Sequence, residues 1–181
     1  MKYKQMKNKF EKILIATGGT GGHIFPAYSL AKHFLSKQKI VEMISDTRGI
    51  KFLKDLTDIK INEIQTFTVD KKNFFKTIYS LILIFISIFK SIFFLFKNKP
   101  DLVFGMGGYS SFPVCIASRI LNIPFIVYEN NLHVGKANKS LIPFAKKIFV
   151  SNSELQGIKE KYNYKICKIG NIIRHEILNY R

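Results

Sequence analysis

Short apolar runs alternate along the chain with longer segments of helical spacing. Residues 12–16 form an apolar run followed by a glycine-rich turn, and a helix is expected over about 26–36. A second strand is expected at 40–44, a second helix at 48–56 and a third strand at 60–65. A long apolar segment, 74–96, ends before Pro100, and residues 101–105 form another strand. A second glycine turn leads into a helix over 111–121, and strands follow at 125–128, 147–150 and 164–169. Strands that are apolar throughout, set between helices, are buried on both faces. The pattern therefore predicts an α/β fold built on one doubly wound, Rossmann-like parallel sheet. No internal repeat or low-complexity linker interrupts it.

The apolar segment breaks the usual rule for such helices. Residues 78–96 carry one charge, Lys90, and are flanked by Lys71, Lys72 and Lys76 on one side and Lys97 and Lys99 on the other. That length reaches the threshold for a membrane span. A spanning helix, however, would place the first three strands and the later ones on opposite sides of a bilayer and destroy the sheet. A helix packed on a sheet normally keeps a polar outer face, and this one has little. The expectation is a helix with its inner face on the core and its outer, lysine-edged face in a membrane interface.

Composition narrows the classes. With 181 residues and 47% hydrophobic positions, a core without covalent staples is feasible and disorder is excluded as the main state. The two cysteines, Cys115 and Cys167, lack paired spacing, which excludes a disulfide scaffold or zinc ribbon and fits a reducing compartment. The N-terminus is basic, at Lys2, Lys4, Lys7 and Lys9, but the apolar run after it is too short for a signal peptide. A cytoplasmic protein is expected. The net charge of +17 favours a polyanionic partner, whether nucleic acid, anionic membrane or phosphorylated substrate. Coding bias toward Lys, Ile, Asn and Phe explains the same excess. No nucleic-acid motif is present, so no nucleic-acid partner is expected.

The strongest local signal is Thr17-Gly18-Gly19-Thr20-Gly21-Gly22-His23, between the first strand and the first helix. Glycines there permit tight turns and leave backbone N–H groups open to an anion at a helix N-terminus. The dinucleotide pattern G-x-G-x-x-G fits imperfectly, because Ile24 holds the third glycine position, although Asp46 could imitate the ribose-binding acid. No Gly-Lys-Ser/Thr follows, so a P-loop is excluded. His23 closes the loop at the mouth of the sheet, where an imidazole could act as general base toward a sugar hydroxyl. A second turn, Gly105-Met106-Gly107-Gly108-Tyr109-Ser110-Ser111, lies between another strand and helix, with Ser110 or Ser111 as N-cap or ligand donor. Two anion cradles on one sheet edge suit a diphosphate. Tyr128-Glu129-Asn130-Asn131 ends the next strand, and Gly170-Asn171-Ile172-Ile173-Arg174 follows the last one.

These motifs together, in this order and spacing, resemble the MurG family of glycosyltransferases, which convert lipid I into lipid II in peptidoglycan synthesis. The resemblance runs from about residue 11 to 181. It implies a GT-B architecture of two Rossmann-like domains, inversion at the anomeric carbon, no cofactor or metal in the chemical step, and peripheral attachment at the cytoplasmic face of the inner membrane. Thr20, Gly21, Gly22, Asn131 and Arg174 are similar to contacts for UDP-GlcNAc. His23 resembles the base for the acceptor hydroxyl, and Gly105, Gly107, Gly108, Tyr109 and Ser110 would hold the acceptor diphosphate. Glu129 would orient its neighbours. The expected partners are UDP-GlcNAc, lipid I (undecaprenyl-pyrophosphoryl-MurNAc-pentapeptide) and an anionic membrane surface.

Two motifs depart from the family. Its HEQN string is YENN here, with Tyr128 and Asn130 replacing histidine and glutamine, and its GNPVR string is GNIIR. The resemblance also matches only an N-terminal half. The expected organisation is a basic extension over 1–10, an acceptor-binding domain over 11–170 and the start of an interdomain linker over 171–181, with a separate C-terminal donor-domain chain completing the enzyme. The alternative is a non-catalytic, membrane-associated binding or scaffold subunit that retains the fold. A dinucleotide-dependent oxidoreductase is disfavoured by Ile24 and by the lack of a catalytic dyad.

Overall fold

The computed structural model describes residues 10–54, 58–67, 73–152 and 154–173. Seven strands form one parallel sheet in the order β3-β2-β1-β4-β5-β6-β7. They are β1 (Lys12–Ala16), β2 (Ile40–Ser45), β3 (Lys60–Glu63), β4 (Leu102–Gly105), β5 (Phe125–Glu129), β6 (Lys147–Val150) and β7 (Ile166–Lys168). The helices between them are α1 (Gly21–Ser36), α2 (Thr47–Leu53), α3 (Phe74–Asn98), α4 (Ser111–Ile120) and α5 (Lys136–Leu141). A 3-10 turn over Glu160–Lys165 replaces the first two residues expected in the last strand.

Alternation along β1 shows how the sheet makes two cores. Ile13 and Ile15 face one way, onto Ile24, Ala27 and Ala31 of α1. Leu14 and Ala16 face the other, onto Leu95 of α3 and Val114, Cys115 and Ala117 of α4. Every one of these residues is buried. Apolar side chains on successive positions are therefore required by helices on both faces.

Helix α3 connects β3 to β4 within the one sheet, so it is a crossover that runs antiparallel to the strands. Its 25 residues are long and apolar enough to cross a membrane. The residues it buries are Ser80, Ser87, Ser91 and Leu95, while Phe74, Phe75, Tyr79, Phe85, Phe89, Phe93 and Phe96 are exposed. The serines are tolerated inside because each hydroxyl donates to a carbonyl one turn back: Ser80 to Lys76, Ser87 to Leu83, Ser91 to Ser87. Their small size lets α3 lie close on its neighbours. The helix is about 37 Å long, whereas the four residues of β4 span about 13 Å. Three of the four buried positions lie in the C-terminal half, so the N-terminal half overhangs the carboxyl edge of the sheet.

That edge is tied together by Asp46. Instead of facing a ribose, its carboxylate is 5% exposed and caps α2, accepting from Gly49 N at 2.9 Å. The same oxygen accepts from Gly19 N at 3.0 Å in the first glycine loop, and the other oxygen accepts from Arg48 Nε and Nη2. Burial alone would raise the Asp46 pKa, but the hydrogen bonds from Gly19, Gly49 and Arg48 outweigh it and hold the carboxyl below its usual value. Asp46→Ala is expected to cost about 2–4 kcal/mol in urea denaturation, since it removes a helix cap and strands buried N–H groups. A depressed folded pKa stabilises above the unfolded value near 3.9 and is lost as pH falls through the folded one. Asp46→Asn should therefore show a flatter fall in stability below about pH 4 than the native chain, measured by the denaturation midpoint against pH.

Candidate active site

The sheet order reverses between β1 and β4, which places the loops after β1, β4 and β5 side by side at the carboxyl edge. Open α/β sheets bind ligands at such a switch point. Both glycine loops flank it.

The two loops touch through their glycines. A Cβ on Gly18 would lie 2.1 Å from Ser110 Oγ, and one on Gly108 would lie 3.0 Å from the Gly18 carbonyl oxygen. A Cβ on Gly107 would lie 2.9 Å from Nδ1 and Cε1 of His23. Gly19, Gly107 and Gly108 also have φ of +85°, +87° and +76°, a region that side chains with a Cβ rarely adopt. The bare backbones thus let the loops close into one unit around the His23 ring. Nδ1 of His23 is buried against Gly107 without a hydrogen-bond partner, which leaves Nε2 as the nitrogen available to a hydroxyl.

Helix α1 begins at Gly21, five residues earlier than the sequence pattern indicates. Thr20 is the N-cap, exposed, and makes no side-chain capping bond. Gly21 and Gly22 form the first turn, whose N–H groups precede the helix's internal hydrogen bonding, the kind of group that a helix start offers to an anion. Gly21 therefore has helical backbone, and its missing side chain makes room for the Phe25 ring, 2.9 Å from where a Cβ would sit.

Pro26 lies inside α1 rather than at its start. It has no N–H to donate to the carbonyl four residues back, that of Gly22. Asn130 Nδ2 takes up that oxygen at 3.2 Å. A helix defect thus becomes a tie between the first loop and the loop after β5. The missing N–H of Pro26 was the signal for this tie.

Glu129, buried at the end of β5, organises the rest. Its Oε1 accepts from Asn131 N and Nδ2 at 3.1 and 2.8 Å, and its Oε2 from Gly135 N and Asn138 Nδ2 at 2.8 and 2.9 Å. Both oxygens are occupied, so Glu129 positions Asn131 and has no free lone pair aimed at the crevice for use as a base. Asn131 itself is exposed. The replaced residues keep the strand end bonded by other means: Tyr128 donates to Gly170 O at 3.4 Å and accepts from Ile172 N at 3.2 Å. Asn138, which the sequence reading passed over, also donates to Tyr128 O.

The remaining candidates divide. Tyr109 projects at the loop tip, 45% exposed. Gly105 is buried, and a Cβ there would sit 2.7 Å from Cys115 Sγ, so its role is to admit α4. Ser110 occupies the N-cap position of α4 without a capping bond, its hydroxyl buried beneath Gly18; Ser111 Oγ instead donates to Gly108 O at 3.0 Å. Arg174, with Lys71 and Lys72, lies outside the described residues. Arg48, a further basic group missed in the sequence, stands beside the first loop with its Nη2 3.9 Å from a Cβ position on Gly19.

The chain is similar to known proteins over most of its length. The glycosyltransferase family 28 N-terminal domain matches residues 13–150. The UDP-N-acetylglucosamine--N-acetylmuramyl-(pentapeptide) pyrophosphoryl-undecaprenol N-acetylglucosamine transferase of Pelagibacter ubique is 39% identical over 172 residues, 94% of this chain and 47% of that protein. Its counterpart in Rickettsia typhi is 35% identical over 167 residues, 92% of this chain and 42% of the relative. The crystal structure of Acinetobacter baumannii MurG superposes with a TM-score of 0.72 at 25% identity, covering 88% of this chain and 45% of that one. The chain spans about half the length of the curated relatives it matches. The family match runs from β1 to the end of β6 and takes in both glycine loops, His23 and the Glu129 loop, so the chain belongs to glycosyltransferase family 28 through its N-terminal domain.

Proposed function

We propose that this chain is the acceptor-binding half of an inverting glycosyltransferase that moves GlcNAc from UDP-GlcNAc to lipid I, working with a donor domain. The observation that carries the reading is His23, held between two glycine loops at the switch point, with Nδ1 buried against Gly107 and Nε2 the ring nitrogen left for a hydroxyl. In the reaction, Nε2 takes the proton of the acceptor 4-hydroxyl as its oxygen bonds to the anomeric carbon. The bond from that carbon to the UDP oxygen breaks on the opposite face, and UDP leaves with the electron pair. Gly107 and Gly108 are assigned to the acceptor diphosphate. The head of α1, from Thr20 to Gly22, and Asn131, with Arg174, are assigned to the donor.

The same reading places the chain on the cytoplasmic face of the membrane. Each exposed phenylalanine of α3 would gain roughly 1.5–3 kcal/mol on full burial, and lysines edge that face at Lys76, Lys90 and Lys97. Such a surface suits an anionic bilayer, with the ring face dipping in and the lysines at headgroup level.

The chemistry is tested in the enzyme formed with a donor domain. His23→Ala should lower kcat by roughly 10²–10⁴ with KM little changed, because a base acts chiefly in the transition state. Gly22→Val should do the reverse. A Cβ at Gly22 has open space, with Thr20 Oγ1 its nearest neighbour at 3.7 Å, so the fold tolerates it. The branched side chain would cover the N–H groups at the head of α1 and raise the KM for UDP-GlcNAc about tenfold or more. Near-normal kcat in His23→Ala would sink the assignment of the base, and a donor domain that restores no transfer would favour the scaffold reading.

Membrane attachment is tested by flotation with phosphatidylglycerol vesicles. Binding should fall steeply with salt, as each lysine near the surface contributes about 1 kcal/mol at low ionic strength. Phe85→Ser, Phe89→Ser and Phe93→Ser together should abolish it while leaving the melting temperature near the native value. Binding that survives carbonate extraction would contradict peripheral attachment.

A further inference from the structure

Beneath the overhang of α3 lies a cavity of about 360 Å³, between that helix, the start of α4 and α5. Its walls include Ile84 of α3, Phe112 and Pro113 of α4, and Ala137 of α5, with Tyr109 and Lys136 also lining it. Tyr109 and Lys136 are both exposed and so stand at its mouth. The serine hydroxyls that line it are already engaged: Ser87 donates to Gln65 O and Leu83 O, and Ser140 to Lys136 O. Apart from Tyr109 and Lys136 at the mouth, the walls therefore offer a polar ligand little, and the charge at the mouth is positive.

The position of this cavity matters more than its size. Tyr109 directly follows Gly107 and Gly108, so one end of the slot adjoins the loop assigned to a diphosphate. Ile84 and the buried Ser87 line it from the inner side of α3, whereas Phe85, about 100° further round the helix, is exposed. The slot thus sets an apolar space beside the loop assigned to the diphosphate, with a lysine at its mouth. A ligand with a diphosphate at one end and a hydrocarbon chain at the other suits both.

We infer that the slot holds the first isoprenoid units of the acceptor's polyprenyl chain, with Lys136 beside the diphosphate. This rests on the reading that the acceptor is a polyprenyl diphosphate. It adds a binding site for the lipid itself, so that the chain leaves the crevice inside the protein before it reaches the bilayer. A diphosphate held at one end and a chain held at the other would fix the distance from the sugar to His23, which a free lipid tail could not.

The protein contains no tryptophan, so Phe112→Trp gives a single tryptophan, in the slot wall, that can be excited apart from the tyrosines. In the full chain, farnesyl diphosphate should change its emission at concentrations at least tenfold lower than inorganic pyrophosphate. Adding Ala137→Leu, which fills the slot from α5, should weaken the farnesyl diphosphate response at least tenfold and leave the pyrophosphate response unchanged. Ser140→Trp, on the exposed side of α5, is a second reporter should Phe112→Trp fold poorly. Equal responses to farnesyl diphosphate and pyrophosphate would overturn the inference. So would the same emission change with phosphatidylglycerol vesicles free of polyprenyl lipid, which would assign the slot to bilayer acyl chains. Because this measurement reads binding alone, it separates from the transferase reading. Loss of GlcNAc transfer with an intact farnesyl response would reject the transferase and keep the slot. Transfer to a lipid-linked acceptor with unchanged KM in Ala137→Leu would reject the slot and keep the transferase.

Discussion

The contact between the two glycine loops sets the geometry on which the site depends. Side-chain-free backbone at Gly18, Gly107 and Gly108 lets the loops meet at distances that leave no room for a methyl group. The His23 ring fills the remaining gap against Gly107, so a single approach both forms the crevice and fixes the imidazole. Residues at positive φ cost little when they are glycine and roughly 1–2 kcal/mol otherwise. At Gly107 and Gly108 the position that allows the contact also allows the turn, and a substitution there would disturb both.

Around that contact, three ties of different chemistry hold the loops to the sheet. Asp46 joins the first loop to the head of α2 through a charged, buried acceptor. Asn130 joins the same loop to the β5 end through the carbonyl that Pro26 leaves free. Glu129 gathers the loop beyond β5 onto one carboxylate. Each acceptor is matched to donors, as buried polar groups require. The loops are therefore preorganised on rigid elements before any ligand arrives, and little ordering entropy remains to oppose binding.

Helix α3 solves a separate problem with unusual residues. Serines inside and phenylalanines outside invert the ordinary helix pattern. The serines give close packing on the inner side, chiefly against α4, and satisfy their own hydroxyls. The exposed phenylalanines run along the outer face, and Phe74, Phe75 and Phe85 lie on the half carried past the sheet edge. One helix thereby brings core packing, an exposed aromatic surface and the wall of the apolar slot together.

Much of this was legible in the sequence. Buried strands on a doubly wound sheet announce themselves as continuous apolar runs, so the strands fall close to where hydrophobicity places them. Glycine clusters after strands mark loops that need bare backbone, and His23 stands out because it closes one of them. The helix boundary at Gly21 was hidden, because glycine and an internal proline both argue against helix locally and only packing of Ile24, Ala27 and Ala31 on β1 outweighs them. Asp46 looked like a ligand for a ribose, and its true partners, Gly19 and Gly49, come together only when α2 and the first loop share an edge. The direction in which α3 turns its serines was likewise undecidable from periodicity, since both of its faces are rich in apolar residues. Local sequence determined which segments become strands and which loops must be glycine, because those choices depend on each residue's own hydrophobicity and backbone freedom. Which glycine meets which histidine, which carboxylate is consumed in holding a loop, and which face of α3 meets the sheet were decided by contacts between residues far apart in the chain, and those exist only once the sheet order is set.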